Sequence, residues 1–421
     1  MKKYLIKLLA TFLLLALTAA SALEISVGEG KVAAKPIAVV PFAGNNDADK
    51  IDFIVSSDLR QSGVFAPVDP SSYTERPTNP GQINYSLFQG LAAYVVFGQQ
   101  NGRDNLRFFI ADSFQQQIIG EYTVPMAGRT LRQTAHQVSD LILEKLTGTR
   151  GAFATRLVYV HETGSGESRH FYLMLSDSDG ANPIQLLSSR APMMSPRFSP
   201  DGKTIAYVTF EGKHAQIVTH DIFSGRRALV SKAPGMNSSP AWSPDGQKIA
   251  MVLSKDGNPE VYFKNLATGA LVRVTNNPGI DTEPAWSPNG QEIYFTSDRG
   301  GSPQLYNINL SSGRLTRVTS TGRYSAGADI SDDGNYIALA RNNGGNFIIG
   351  TIERKSGRFH GVSRGFIDET PRFSPNGKML IFASVENNHS VLKVVNVDGS
   401  GSNTLSASGQ IRDADWSTYI K

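Results

Sequence analysis

Cysteine is absent from the 421-residue sequence, so no disulfide bond can stabilise the fold. Such a chain has to be stabilised by the burial of apolar side chains, and its length is ample for two domains. Long apolar runs are also absent after the N-terminal segment. No later segment is therefore predicted to cross a membrane.

The N-terminus has the composition of a secretory signal peptide. Three lysines, Lys2, Lys3 and Lys7, precede an apolar run at residues 8–20. A small-x-small cleavage site, Ala-Ser-Ala, follows at 20–22. An uncleaved membrane anchor is the alternative, but the run is shorter than the roughly 20 residues that a spanning helix needs. We expect residues 1–22 to be removed and the mature protein to reside in the periplasm, which suits a chain without disulfides better than the extracellular space.

The sequence also lacks a strong excess of positive charge. The formal net charge is +4, and removal of the three signal-peptide lysines leaves +1. No basic cluster remains that could follow a phosphate backbone, so nucleic acid is not an expected partner. We expect a soluble mature protein that meets membranes only through protein partners.

The clearest feature that the sequence does contain is a repeat of 43 or 44 residues. Its motif is Pro-Arg-Phe-Ser-Pro-Asp-Gly at 196–202, which becomes degenerate at 328–334 and truncated at 414–417. The motif serines are Ser199, Ser243, Ser287, Ser331, Ser374 and Ser417. A period of about 40–50 residues is typical of one four-stranded blade of a β-propeller.

Each repeat contains short apolar segments separated by turn residues, which predicts four antiparallel strands. The segment before the first full motif supplies three strands, near 157–160, 171–175 and 184–187, and the C-terminus supplies a spare strand near 414–417. We predict that the spare strand becomes the innermost strand of the first blade. It would close a six-bladed ring over residues 151–421, whereas an open solenoid is the alternative.

Residues 23–150 have a different pattern and are predicted to form an α/β domain. Apolar strands are expected at 36–42, 91–98, 106–111 and 118–124. The apolar residues that recur at helical spacing are Ile51, Ile54, Val55 and Leu59. A second helix is expected to begin after Thr130, with Gln133 completing a capping box, and to end at Gly148. The domain boundary is expected near 148–154.

The catalytic and metal-binding patterns in the sequence are weak, which favours a protein that is not an enzyme. Gly-Val-Ser-Arg-Gly at 361–365 matches the Gly-x-Ser-x-Gly pattern of hydrolase nucleophiles, but it falls in the fourth strand and following loop of a blade. Asp-Ser-Asp-Gly at 177–180 is interpreted as a turn, because the later ligands of a calcium loop are missing. We expect no cofactor and no metal. A periplasmic propeller hydrolase with a channel-mouth site is the alternative function.

The seven histidines have no metal-ligand spacing. His136 falls in the second predicted helix, and the others are scattered among the blades. The scattered ones are His161, His170, His214, His220, His360 and His389. Positions at the surface or on strand edges are therefore expected.

Several segments are more specific than the repeat. They are Pro-Ile-Ala-Val-Val-Pro-Phe at 36–42, Phe-Ala-Thr-Arg-Leu-Val-Tyr-Val at 153–160, Asp-Thr-Glu-Pro at 281–284, Ala-Asp-Ile at 328–330 and Asp-Glu-Thr-Pro at 368–371. With them, the whole chain resembles the TolB family, the periplasmic component of the Tol-Pal system. The resemblance implies a docking protein that supports outer-membrane integrity, constriction of the envelope during cell division and the import of bacteriocins.

The resemblance also implies that the Pal lipoprotein docks on the propeller face formed by the loops that enter the innermost strands. Carried onto this sequence, the Pal-binding residues are Met236, Asn237, Ser239, Asp281, Thr282, Glu283, Tyr324, Asp368 and Glu369. The loop at 236–239 departs from some relatives. Ordinary solvated turn residues are the alternative interpretation, and other outer-membrane proteins are possible further partners.

A second implied partner is TolA of the inner-membrane complex, which would engage the extreme N-terminus of the mature chain. The TolA-binding residues are Leu23, Glu24, Ile25, Ser26 and Val27. Their alternation of apolar and polar side chains suits strand addition to a partner's sheet edge. Exchange of this segment between docked and free states could couple the two partners, whereas a frayed terminus without a role is the alternative.

Overall fold

A computed structural model describes residues 33–44, 50–342, 344–405 and 410–419. The predicted signal peptide and the predicted TolA-binding residues 23–27 lie outside the described residues. Within the described ranges, none of the helices combines the length and the apolar content that crossing a membrane requires.

The N-terminal part of the described chain is a five-stranded mixed sheet with flanking helices. Its strands are β1 (Lys35–Val39), β2 (Phe65–Pro67), β3 (Tyr94–Asn101), β4 (Asn105–Asp112) and β5 (Gln117–Pro125). Its helices are α1 (Ile51–Gln61), α2 (Tyr85–Gln89) and α3 (Leu131–Thr147). The strand order is β2-β1-β3-β4-β5, with β1 parallel to both neighbours and the remaining pairs antiparallel. The predicted α/β class is confirmed, while β2 and α2 are too short to have been recognised from periodicity.

Helix α3 begins and ends where its capping residues predict. The Thr130 hydroxyl oxygen accepts a 3.1 Å hydrogen bond from the Gln133 N–H, and the Gln133 side chain accepts one of 3.2 Å from the Thr130 N–H. Gly148 ends the helix with a φ of 76°, a left-handed conformation that suits glycine. The helix packs Ala135, Val138 and Ile142 into the core of the domain.

The rest of the described chain forms six four-stranded antiparallel sheets, each of which is one blade. Blade 1 contains β6 (Arg156–Thr163), β7 (His170–Asp177) and β8 (Ile184–Ser189), together with β29 (Gln410–Trp416) from the C-terminus. Blade 2 contains β9 (Met193–Phe198), β10 (Thr204–Thr209), β11 (Gln216–Asp221) and β12 (Arg227–Ser231). Blade 3 contains β13 (Asn237–Trp242), β14 (Lys248–Leu253), β15 (Glu260–Asn265) and β16 (Leu271–Arg273).

Blades 4 to 6 repeat this arrangement. Blade 4 contains β17 (Asp281–Trp286), β18 (Glu292–Ser297), β19 (Gln304–Asn309) and β20 (Leu315–Arg317). Blade 5 contains β21 (Tyr324–Ile330), β22 (Tyr336–Asn342), β23 (Phe347–Glu353) and β24 (Phe359–Gly361). Blade 6 contains β25 (Asp368–Phe373), β26 (Met379–Glu386), β27 (His389–Asn396) and β28 (Asn403–Leu405).

The ring is closed by the C-terminal strand, as the sequence predicts. Strand β29 pairs antiparallel with β6, in a register that places Trp416 opposite Leu157. The innermost strands β29, β9, β13, β17, β21 and β25 each contact the next in this order, and β25 contacts β29. Because β29 completes blade 1 and the innermost strands form a closed ring, the six-bladed propeller is confirmed and the open solenoid is wrong.

The α/β domain packs beside blades 1 and 6. The Asn396 side chain donates a 3.0 Å hydrogen bond to the carbonyl oxygen of Gln61 at the end of α1. The Asn376 side chain donates one of 2.9 Å to the carbonyl oxygen of Arg150. Apolar residues of both parts share one core cluster, which includes Ile54 of α1 and Met379 of β26. The predicted boundary near 148–154 stays a prediction.

A buried polar group also lies at this junction, contrary to the surface position expected for histidines. His136 of α3 is 1% exposed, and its Nδ1 lies 2.8 Å from the Asp58 carboxylate. Ser139 donates a 2.7 Å hydrogen bond to the same carboxylate oxygen. Burial is the largest single effect and would lower the pKa of His136. The charge and hydrogen bond of Asp58, together with the charges of Asp179 and Asp177, outweigh it and raise this pKa to about 9. The expectation is also wrong for His220 of β11, which is 4% exposed.

Candidate functional site

The innermost strands of the blades line a central channel, and the repeat makes all six run in the same direction. Their N-terminal ends form one mouth of the channel, here called the entry face, with loops at residues 190–195, 234–239, 278–283, 322–327, 365–370 and 410–413. Their C-terminal ends form the other mouth, here called the turn face, with turns at residues 199–202, 243–246, 287–290, 331–334, 374–377 and 417–419. The predicted Pal-binding residues all belong to the entry face. The α/β domain packs on the side of the turn face.

Every innermost strand contains one residue with a positive φ, at the point where its register against the second strand shifts. These residues are Ser195, Ser239, Glu283, Gly327, Thr370 and Asp413, with φ between 50° and 67°. Five of the six are not glycine, although a left-handed conformation costs such residues on the order of 1–3 kcal/mol. Strain that recurs in five of the six blades around one channel mouth supports a functional surface.

Two of these strained residues hold the neighbouring blade in place. Glu283 accepts a 2.8 Å hydrogen bond from the N–H of Gly327 and another of 2.8 Å from the Thr296 hydroxyl. Asp413 accepts a 3.2 Å hydrogen bond from the N–H of Ser195. These contacts fix both carboxylates, so the charge that they present to the channel is preorganised.

Three of the predicted docking residues are buried instead of presented at the surface. Asp281 is 0% exposed and forms a 2.6 Å ion pair with Arg299. Asn237 accepts a 2.9 Å hydrogen bond from the Ala233 N–H, and Asp368 accepts one of the same length from the Gly365 N–H. Each of the three therefore stabilises its own entry-face loop. Any contribution of these residues to docking would be indirect, through the position of that loop.

The remaining predicted docking residues are accessible. Met236 is 43% exposed, and Glu369 is also exposed. The half-buried residues are Ser239, Thr282, Glu283 and Tyr324. The ring of Tyr324 packs edge-on against Phe347 at a centroid distance of 5.2 Å, which orients its hydroxyl end at the mouth.

Negative charge is concentrated at the centre of the entry face. Partial burial and the nearby carboxylates of Asp413 and Glu283 raise the pKa of Glu369. Burial, with the charges of Glu283 and Glu369 adding to it, raises the pKa of Tyr324. Three carboxylates from blades 1, 4 and 6 therefore converge on this mouth and favour a partner with a positively charged group.

Two exposed apolar residues of the entry face were not predicted. Ile280 is 49% exposed and Phe366 is 69% exposed. Ile280 directly precedes the buried Asp281, and Phe366 lies two residues before the buried Asp368. Met236 has the same relationship to the buried Asn237. The repeat register could have revealed this position, but its exposure depends on the path of each loop.

The Gly-x-Ser-x-Gly segment lies in the fourth strand of blade 5 and the loop that follows it, as the sequence predicts. The Ser363 hydroxyl donates to the buried Asp368 and accepts a 2.8 Å hydrogen bond from the Ile349 N–H. Both contacts stabilise the loop between blades 5 and 6, which is a structural role for this serine.

The chain is a two-part β-propeller protein. An α/β domain precedes a closed six-bladed propeller, and the propeller has a charged entry face. The model of the TolB beta propeller domain matches residues 143–420, and that of the TolB amino-terminal domain matches residues 23–119. The chain belongs to the TolB family.

Individual relatives agree with this membership. The chain is 39% identical over 247 residues to the Tol-Pal system protein TolB of Thioalkalivibrio sulfidiphilus, which covers 56% of this chain and 57% of that protein. It is 40% identical over 220 residues to the Tol-Pal system protein TolB of Methylococcus capsulatus, with 51% and 52% covered. The chain thus spans little more than half the length of these relatives. The crystal structure of TolB from Acinetobacter baumannii is similar with a TM-score of 0.84 and 36% identity, covering 91% of this chain and 97% of that one.

Proposed function

We propose that this protein is a non-catalytic docking component of the Tol-Pal system, located in the periplasm. Support comes from its membership of the TolB family and from the names of its relatives, which are Tol-Pal system proteins. In this role the protein would help to maintain the outer membrane and to constrict the envelope during cell division.

The entry face is the proposed binding site for the Pal lipoprotein. The observation that carries this assignment is the ring of six positive-φ residues around one channel mouth. Five of them are strained, and two of these, Glu283 and Asp413, present carboxylates in fixed positions. A rigid polar surface loses little conformational entropy when a partner binds, so its hydrogen bonds can supply specificity.

Apolar residues at the rim would supply much of the affinity. Met236, Ile280 and Phe366 project from the entry-face loops of blades 3, 4 and 6, and each is more than 40% exposed. Apolar anchors around a polar centre that carries Thr282, Glu283 and Glu369 are a common arrangement of protein interfaces.

The N-terminus of the mature chain is the proposed binding site for TolA. Its residues 23–27 lie outside the described residues, so this assignment depends on the sequence alone. The alternation of Leu23, Ile25 and Val27 with polar residues suits the addition of a strand to a partner's sheet, in which backbone hydrogen bonds supply the affinity.

Affinity capture from an envelope extract tests both assignments. The mature protein as bait should recover Pal and TolA. A bait with Thr282→Arg and Glu369→Lys should recover TolA but lose Pal, because the changes lie on the entry face alone. Recovery of neither partner by the unchanged bait would contradict the proposed role.

A further inference from the structure

The turn face contains a cavity of about 470 Å³ at the second mouth of the channel. It is separate from the entry face, because its lining residues belong to the C-terminal ends of the innermost strands and to the turns that follow them. A volume of this size is within the range of about 300–1,000 Å³ that is usual for small-molecule sites.

One position of the repeat supplies most of the charged lining of this cavity. It is the position two residues before the motif serine. Going around the ring from blade 1 to blade 6, this position is occupied by Asp415, Arg197, Ala241, Ala285, Asp329 and Arg372, all of which line the cavity. Because the order of the blades is fixed by closure, Arg197 and Asp329 lie on opposite sides of the ring.

This order divides the charge of the cavity into two unlike halves. Arg372, Asp415 and Arg197 are consecutive and together carry a net positive charge. The other half consists of two alanines and Asp329, with the exposed Asp332 at its rim, so its only ionisable groups are carboxyl groups. The two alanines leave the space that the longer side chains occupy elsewhere in the ring.

The two arginines have hydrogen-bonding capacity left for a ligand. Nη1 of Arg197 donates a 2.8 Å hydrogen bond to the Pro196 carbonyl oxygen, and Nη1 of Arg372 donates one of 2.7 Å to that of Pro371. Each such bond uses one of the five N–H donors of a guanidinium group. Arg372 Nε lies 3.9 Å from Asp415 Oδ1, which is too long for a hydrogen bond. Guanidinium donors of this kind favour a carboxylate.

The two aspartates are fixed by the neighbouring blades. Asp329 Oδ2 accepts a 2.8 Å hydrogen bond from the Phe373 N–H, and Asp415 Oδ2 accepts one of 2.7 Å from the Phe198 N–H. In the ring order Asp415 lies between Arg372 and Arg197, whereas Asp329 lies between Arg372 and Ala285 and so borders the side that the alanines line. Asp329 is therefore the acidic group that is positioned to meet a cationic part of a ligand.

We propose that this cavity binds a small zwitterion, namely a free amino acid or the ends of a short peptide. Its carboxylate is held by Arg197 and Arg372, and its ammonium group lies beside Asp329. A dianion would be repelled by the aspartates, and a metal cation would be repelled by the arginines. The site is independent of the proposed docking role, since it lies at the opposite mouth of the channel.

Isothermal titration of the mature protein with L-alanine and with trialanine tests the site and distinguishes its two ligand sources. Binding of alanine indicates a free amino acid, and binding of trialanine alone indicates a peptide. N-acetylated trialanine lacks the ammonium group and C-amidated trialanine lacks the carboxylate. Each should bind at least about tenfold more weakly than the uncapped ligand that binds, whether alanine or trialanine, which is a loss of about 1.4 kcal/mol. Equal binding of the capped and uncapped forms, or no binding of either zwitterion, would overturn the proposal.

Two matched substitutions locate the binding. Arg197→Met and Arg372→Met remove the guanidinium groups at similar volume, and each should weaken the binding of the zwitterion at least about tenfold. Arg226→Met, in the exposed turn between β11 and β12, is the control and should bind as the unchanged protein does. Thermal unfolding identifies variants that are folded. If a folded arginine variant bound the zwitterion with unchanged affinity, the binding site would lie elsewhere and the assignment would be overturned.

Discussion

The carboxylate of Asp415 accepts a 2.7 Å hydrogen bond from the backbone N–H of Phe198, 217 residues away in the sequence. The same bond joins Asp329 to Phe373 between blades 5 and 6. In blades 3 and 4, which have tryptophan in place of phenylalanine, an indole N–H makes the bond to the preceding blade instead. The indole N–H of Trp242 donates to the Arg197 carbonyl oxygen at 3.2 Å, and that of Trp286 donates to the Ala241 carbonyl oxygen at 3.1 Å. Aspartate thus connects blade 1 to blade 2 and blade 5 to blade 6, whereas an indole connects blade 2 to blade 3 and blade 3 to blade 4.

Loss of the Asp415 acceptor should destabilise the ring at its closure. Asp415→Ala leaves the buried Phe198 N–H without this partner, which typically costs about 1–3 kcal/mol. Asp415→Asn keeps an acceptor oxygen and should cost less. Urea-induced unfolding gives these differences, and Asp332→Ala, at an exposed position of the turn face, is the control. Equal stability of the unchanged protein and Asp415→Ala would show that this bond does not contribute to closure.

Asp329 should make stability depend on pH in a particular direction. Burial raises its pKa to about 7, above the ordinary value of 3.8. Because the folded state holds the proton more tightly than the unfolded state, the contribution of this group to stability falls as the pH rises from about 4 to about 7. Asp329→Asn can still accept from Phe373 but does not titrate. The free energy of unfolding, measured at several pH values, should therefore fall less steeply in this variant. Parallel curves would contradict the assignment.

His136 should also make stability fall as the pH rises, but over a higher pH range and because its charged form is the stabilised one. Its folded pKa of about 9 exceeds the ordinary value of 6.5, so its contribution is fully present below about pH 6.5 and is lost as the pH rises through about 9. His136→Gln leaves the buried Asp58 without its charged partner and should cost about 3–5 kcal/mol near neutral pH. The exposed His214→Gln is the control. The measurement is the free energy of unfolding between pH 6 and 10, and a variant as sensitive to alkali as the unchanged protein would refute this account.

The cluster of Asp58 and His136 illustrates what the sequence does not reveal. The two residues are 78 positions apart and carry no motif, so their contact depends on the packing of α1 against α3. The repeat, the closing strand and the caps of α3 were predictable, because each depends on local turn chemistry or on counting strands. The burial of Asn237, Asp281 and Asp368 was not, because a loop residue in a repeat can face either its own loop or the solvent.

The N-terminal segment should act as a separate binding element. Deleting residues 23–33 should abolish the binding of TolA, since the proposed strand addition needs this segment, and should leave the binding of Pal intact. Surface plasmon resonance with each immobilised partner measures both. Full affinity for TolA after the deletion would move its binding site elsewhere in the chain, and any coupling between the two partners would then need another basis.

The central claim is that the entry face is the docking surface. Isothermal titration of the Pal soluble domain against Thr282→Arg and Glu369→Lys tests it most directly, because both side chains are accessible and neither holds a neighbouring strand in the described structure. Each change should weaken binding by about 1–4 kcal/mol, the range of well-placed interface residues. Thr316→Arg makes the same chemical change on the exposed outer strand β20 of blade 4 and should bind Pal as the unchanged protein does. Unchanged affinity in both entry-face variants, with their folding intact, would contradict the account.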